Sequence, residues 1–157
     1  MKKTIIDKLA DTIKALPFED GQKRELPFVY EDADVQNIVF DQIMPPLVAC
    51  VPITSAAVQD ERGFYHERIT LALWFADRMC QPAPDYDAVE NERIIDKCKQ
   101  RAFRWCASMY PKKELELVSV NGSERAYLER DAMLTGYMLN VTLEEVEGYG
   151  ICNGLAR

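Results

Sequence analysis

The chain has 157 residues, of which 48% are hydrophobic and 29% are charged, the size and composition of one globular domain. Asp and Glu outnumber Lys and Arg by 26 to 19, so the formal net charge is -7. Because an acidic surface repels nucleic-acid phosphates and anionic lipid headgroups, we expect no specific nucleic-acid binding and no membrane partner. The 5 cysteines include no Cys-x-x-Cys pair, which indicates reduced, buried thiols in a cytoplasmic protein.

The first third of the chain predicts one helix and one or two short strands. Apolar residues recur at helical spacing and predict an amphipathic helix over residues 3–16 that ends before Pro17. The charged residues within this pattern distinguish it from a secretory signal. A charged connection over 17–26 follows, and then a short strand over 28–30 and a strand or helical turn over 38–43.

The middle of the chain predicts a β-hairpin. A strand is expected over 47–54, where Pro52 indicates an edge position or a bulge. Residues 59–63 have the composition of a hairpin tip. The partner strand over 66–76 alternates, and its second face is also fairly apolar. We therefore expect this strand to be central and covered on both sides.

A long helix is predicted over residues 86–109, between prolines. Asp87 and Glu90 have the spacing of a capping box at its start. Helical spacing places a set of apolar residues on one face, namely Ile94, Ile95, Cys98, Ala102, Trp105, Cys106 and Met109.

The last third of the chain returns to β structure. A strand over 114–120 is expected to turn at Asn121-Gly122 into a return strand over 123–130, because Asn-Gly favours type I′ hairpin turns. A final strand is predicted over 133–146, and residues 147–157 are expected to form a frayed tail. The whole order predicts a single α+β domain spanning 1–157, with a mainly antiparallel sheet and two helices packed on one face.

Few residues in the sequence are suited to catalysis. His66 is the only histidine and is followed by Glu67, without the second histidine of a His-Glu-x-x-His zinc motif, so we interpret it as a surface residue at a strand end. Asp32 and Asp34 suit a metal site or a polar loop, and we favour the loop. No glycine pattern for phosphate binding is present. We therefore expect no enzyme, no cofactor and no metal site, with a small hydrolase that uses His66 and a cysteine as the alternative.

The long helix carries the candidate interaction residues. Phe103 projects away from the apolar stripe, and exposed aromatic side chains are enriched at protein interfaces. A basic flank of the same helix either pairs with acids of the chain, contacts phosphate or binds an acidic protein; it consists of Lys97, Arg101 and Arg104.

The order and spacing of these elements resemble the tail-terminator and tail-completion proteins of tailed bacteriophages, the group of minor tail protein U. The features that carry the resemblance are the helical stripe over 5–16, the hairpin around 59–63, the strand over 69–75, the helix over 87–109 and the strand over 134–146. The family has no catalytic motif, so the resemblance transfers no site residue to this chain.

The resemblance implies a structural protein of a phage or prophage, found in the host cytoplasm and the virion tail. Members form rings, usually hexamers, that join the tail tube to the head, so the implied partners are copies of itself and tail-tube or head-connector proteins. An acidic bore would let DNA pass with little retention. The alternative outside this family is a cytosolic adaptor or inhibitor that binds another protein.

A ring requires two different patches on each subunit. We predict one patch at Phe103 with Arg101 and Arg104, and the other at the hairpin tip with Asp60 and Glu61.

Overall fold

The computed structural model describes residues 2–17, 25–30, 45–78, 87–110, 113–128 and 134–149. Within these segments the chain forms two helices and five strands: α1 (Ile5–Lys14), β1 (Phe28–Tyr30), β2 (Leu47–Gln59), β3 (Tyr65–Arg78), α2 (Ala88–Ser108), β4 (Leu115–Leu128) and β5 (Leu134–Glu145). Most of the connection predicted over 17–26, the element predicted over 38–43, and Asp32 and Asp34 lie outside the described residues.

The five strands form one sheet in the order β1-β2-β3-β5-β4. The pairs β2–β3, β3–β5 and β4–β5 are antiparallel, whereas β1 runs parallel to β2. The predicted α+β class is confirmed, and the sheet is mixed rather than purely antiparallel. Parallel neighbours need a crossover of about a dozen residues or more, and the chain between Tyr30 and Leu47 is long enough to supply one.

Both helices pack on the same face of the sheet, as predicted. Thr4 caps α1 in a capping box: its hydroxyl accepts from the Asp7 backbone N–H, and the Asp7 carboxylate accepts from the Thr4 backbone N–H. Asp87 caps α2, because its carboxylate accepts hydrogen bonds from the Val89 and Glu90 backbone N–H groups. The core between helices and sheet includes the fully buried Leu9, Ile13, Leu71, Leu73, Trp105, Leu139, Val141 and Leu143.

The other face of the sheet is also buried at one end. Its apolar cluster contains Val29, Leu47, Ala49, Trp74, Ala76 and Leu134. The prediction that β3 is central and covered on both sides is therefore confirmed for this end of the strand. Gly136 lies opposite Ala76, and a Cβ at this position would stand 2.1 Å from the Phe75 carbonyl oxygen, so the close approach of the strands requires glycine.

Pro52 lies at a register irregularity of β2, between Pro52 and Thr54, so the predicted bulge is confirmed. Among the described residues, β1 pairs only with residues 48–50 of β2. The outer edge of β2 beyond Val51 therefore has no described neighbouring strand, which explains how the sheet tolerates a residue without a backbone N–H.

The hairpin predicted at Asn121-Gly122 is wrong, because β4 runs straight through it. Gly122 pairs with Asn140 of β5, and the register shifts on either side of this region mark bulges. The Asn121 side chain accepts from the Ser119 hydroxyl and donates to the Thr142 hydroxyl of the neighbouring strand. Pairing along the whole length of β5 has outweighed the local preference of Asn-Gly for a turn.

The prediction of a frayed tail is wrong for residues 147–149. The backbone N–H and C=O groups of Tyr149 bond with those of Tyr65, at 2.8 and 2.9 Å. The Lys2 ammonium also donates to the Tyr149 hydroxyl at 2.6 Å. The turn after β5 is thereby fixed against the start of β3, and residues 150–157 lie outside the described residues.

Candidate interaction surfaces

Phe103 lies on the flank of α2 that faces β5 and β4. Its side chain is 45% exposed, and its ring meets the ring of Tyr137 edge-on, with centroids 5.8 Å apart. The Tyr137 hydroxyl donates to Ser123 of β4 at 2.9 Å. Phe103 is thus held in position by the sheet while much of its ring remains in solvent, which is the geometry of an interface anchor.

Arg101 and Arg104 lie on the other flank of α2. The Arg101 guanidinium contacts the Asp77 carboxylate of β3 at 3.3 Å. Both arginines line a small cleft together with Leu16 and Leu26. The structure therefore separates them from Phe103, and it does not bring the three residues of the first predicted patch together.

The two acids predicted as a patch at the hairpin tip, Asp60 and Glu61, also have different environments. Asp60 accepts hydrogen bonds from the Arg62 and Phe64 backbone N–H groups at 2.8 and 3.1 Å. Its other carboxylate oxygen contacts His66 Nε2 at 2.7 Å, and this contact is the largest reason that the pKa of Asp60 is lowered. Asp60 thus stabilises its own turn, whereas Glu61 is exposed.

His66 is not the surface residue that the sequence predicted, because only 8% of it is exposed. Its Nδ1 lies 2.8 Å from the Glu145 carbonyl oxygen, and the hydrogen bond to Asp60 raises its pKa above the ordinary 6.5. Gly148, in the turn that sequence analysis expected to fray, packs against the imidazole. Both ring nitrogens are therefore engaged, and neither is directed at a thiol in the described part of the chain.

A buried ion pair lies beside His66. The Lys8 ammonium donates to the Glu145 carboxylate at 2.6 Å, and both residues are buried. Burial and a hydrogen bond with Glu145 raise the pKa of the nearby Glu67. The cluster was not predicted from the sequence, although helical spacing from Ile5 and Leu9 places Lys8 within the apolar stripe of α1.

The first of two apolar surfaces lies at the β1–β2 end of the sheet. It is a groove of about 740 Å³, which we call the edge groove. Ile53 and Tyr30 stand in its walls and are 56% and 41% exposed. Its lining is completed by Thr4, Ile5, Ile6, Asp7, Pro52, Thr54, Ser55, Glu67 and Ile69.

The second apolar surface lies on the β5–β4 side of the sheet, where Phe103 protrudes from α2. It consists of Phe103 and Tyr137, with Lys99 one helical turn before Phe103, and we call it the edge ridge. Ile69 of the groove pairs with Leu143 of β5, which lies six residues, about 20 Å, along that strand from Tyr137, so groove and ridge lie well apart on one molecule.

A second cleft, of about 380 Å³, lies between α1, the end of α2 and the start of β4. Two of its polar groups serve the fold: the Thr12 hydroxyl accepts from the Trp105 indole and donates to the Leu9 carbonyl, and the Ser108 hydroxyl donates to the Trp105 carbonyl. Because both hydroxyls are engaged in these hydrogen bonds, Thr12 and Ser108 are not arranged to bind a ligand in the cleft.

No group of three or more His, Cys, Asp or Glu side chains within the described ranges is arranged to hold a metal ion. Cys50 and Cys98 are buried thiols outside any disulfide, and burial raises the pKa of Cys50 to about 12. Cys106 is partly buried, and its pKa is also raised by burial. These thiols are poor nucleophiles, since the thiolate is the reactive form.

No protein-family model matches the chain, and no curated protein sequence matches it either. Of the helices in the described segments, neither is long and apolar enough to cross a membrane.

Proposed function

We propose that the protein is a structural assembly component that joins to copies of itself in a ring, as a tail-terminator or head–tail joining protein of a phage or prophage. One observation carries the self-assembly: a single subunit presents two different apolar surfaces, the edge groove and the edge ridge, that lie well apart. The assignment to a phage or prophage rests in addition on the resemblance in element order to the tail-terminator proteins.

The difference between the two surfaces favours a ring over a two-fold dimer. A two-fold interface uses the same patch on both subunits, whereas a contact between two unlike patches leaves one of each free on every pair. Such contacts continue from subunit to subunit, and they form a ring where the rotation between neighbours closes and an open filament where it does not. The edge groove is a depression bordered by the acids Asp7 and Glu67, whereas the edge ridge presents the exposed Phe103 and Lys99, so the two surfaces differ in form and in charge.

The described geometry gives the alternative of a Cys/His hydrolase no support. His66 is held by Asp60 and the Glu145 carbonyl, and burial disfavours the thiolate form of Cys50. The other alternative is an adaptor that binds another protein. This alternative does not explain why one subunit carries two unlike apolar surfaces that lie well apart.

Size-exclusion chromatography with light scattering, together with negative-stain electron microscopy, tests the proposal. We expect closed rings whose mass is a multiple of the 18.0 kDa subunit. A species of 18.0 kDa at every concentration would overturn self-assembly, and an isolated two-fold dimer would overturn the ring.

Co-purification tests the phage assignment separately. We expect the ring to bind tail-tube or head-connector proteins encoded near its own gene. A stable one-to-one complex with a host protein, without any of these partners, would contradict the assignment and favour the adaptor.

A further inference from the structure

We infer that Phe103 of one copy enters the edge groove of the next copy, with Lys99 placed against Glu67. This inference rests on the proposed self-assembly and adds the contact through which it occurs. The partner is thus a second copy of this chain. The residues that bind it are Phe103, Lys99 and Glu67, and none of them has been given a catalytic or cofactor role.

The shapes of the two surfaces fit this contact. The edge groove, at about 740 Å³, is within the size range of sites that take up aromatic groups, and its walls present Tyr30 and Ile53 to solvent. Phe103 is the counterpart, since it protrudes from α2 and is braced from one side by Tyr137. Burying a braced ring costs little side-chain entropy, because its rotamer is already fixed.

A subunit cannot satisfy its own groove with its own ridge. The groove lies at the β1–β2 end of the sheet and Phe103 packs over β5, next to the β4 end. Phe103 can therefore enter such a groove only on another molecule.

The spacing of the charged and apolar groups also matches. Lys99 and Phe103 are four residues apart on α2, a separation of about 6 Å along the helix. Glu67 and Ile69 are two residues apart on the same face of β3, about 7 Å along the strand. A helix laid along the groove can therefore set Lys99 beside Glu67 while Phe103 rests over Ile69.

The charges of these groups are complementary. Lys99 is exposed and makes no ion pair with any residue in the described segments. Glu67 lies next to the buried Glu145, and burial together with the hydrogen bond between the two carboxyl groups raises the pKa of Glu67. An ammonium group from a neighbouring copy would favour the charged form of Glu67 and so would be bound by it.

Two single variants of the full chain test the contact. Phe103→Glu disables the ridge and leaves the groove intact, whereas Ile53→Glu disables the groove and leaves the ridge intact. Both positions are exposed, so both variants should fold, which circular dichroism verifies. We expect each variant alone to sediment as a monomer at a concentration at which the wild type is fully assembled. The gentler Phe103→Ala should weaken association by about 30-fold, as expected for an aromatic anchor at the centre of an interface.

Mixing the two variants provides the decisive measurement. The intact ridge of the Ile53→Glu chain should dock into the intact groove of the Phe103→Glu chain, and the disabled surfaces should stop further growth. The expected product is a dimer of twice 18.0 kDa that contains one copy of each variant. Val89→Glu is the matched control, because Val89 is an exposed apolar residue of α2 outside both surfaces, and it should assemble as the wild type does.

A charge exchange tests the second part of the contact. Lys99→Glu and Glu67→Lys should each weaken assembly, and the two changes in one chain should restore it. Assembly of the Phe103→Glu and Ile53→Glu variants like the wild type, or a mixture that remains monomeric, would overturn the inference and leave self-assembly standing. A wild type that never assembles would instead overturn the proposed function.

Discussion

Two neighbouring glutamates at the end of β5 form ion pairs on opposite faces of the sheet. Glu145 pairs with Lys8 at 2.6 Å, and the two side chains are only 3% and 6% exposed. Glu144 pairs with Arg68 at 2.7 Å, and these side chains are 17% and 38% exposed. The pairs are nearly equal in length and both join a carboxylate to a basic group, so the main difference between them is access of water.

This difference changes what each pair contributes to stability. An exposed pair exchanges water for a partner at little net gain, and salt weakens it further. A buried pair has already lost its hydration, so each charge depends on the other. The presence of a salt bridge on β5 therefore indicates little by itself, and burial decides how much its loss costs.

Lys8→Ala should have the largest effect, because it leaves the Glu145 carboxylate buried without its cation. We expect the free energy of unfolding to fall by about 3–5 kcal/mol. Urea unfolding followed by circular dichroism measures this loss. The double variant Lys8→Met with Glu145→Leu removes both charges, and it should lose much less than Lys8→Ala alone. A loss below about 1 kcal/mol for Lys8→Ala would place this pair in the same class as an exposed one.

Some of this could be predicted from the sequence. The helical spacing of α1 places Lys8 on the same face as Ile5 and Leu9, which indicates a buried charge. Its partner could not be predicted, because Glu145 is 137 positions away and reaches Lys8 only through the strand order of the folded sheet. The same limit applies to the edge groove and the edge ridge, which combine residues from elements far apart in sequence.

The elements themselves were predictable where their patterns were local. The alternation in β3 and β5 and the stripes of both helices predicted elements that the structure contains. Asn121-Gly122 misled the prediction, because a dipeptide preference for turns competes with pairing along a whole strand. His66 was misjudged for a related reason: its burial comes from Gly148 and Glu145, which only the tertiary fold brings to it.

His66 should have an intermediate effect that depends on pH. Its neighbours are the Asp60 carboxylate, the Glu145 carbonyl and the nearby charge of Glu144, and together they raise its pKa above 6.5. The folded protein holds this proton more tightly than the unfolded chain does. The stabilisation is therefore complete below the ordinary pKa and is lost as the pH rises through the raised one.

The variant His66→Gln tests this dependence. Below neutral pH the substitution should cost about 1–3 kcal/mol, because a hydrogen bond to a charged group is lost. At alkaline pH the cost should shrink, since the wild type has then lost the protonated imidazole as well. Thermal unfolding of both proteins across this range measures the difference, and a constant difference at every pH would contradict the role of the proton.

Arg68→Ala should have the smallest effect and completes the comparison on β5. Glu144 keeps access to water when Arg68 is removed, so the free energy of unfolding should fall by only about 0–1 kcal/mol. The measurement is the same urea unfolding used for Lys8→Ala, repeated at high salt, where the wild type should approach the variant because exposed charges are screened. The buried pair should keep its large effect at the same salt concentration, since its side chains are only 6% and 3% exposed and are screened far less. If both substitutions responded equally to salt, Lys8 and Glu145 would have to be in contact with solvent, and the distinction between the two faces of the sheet would fail.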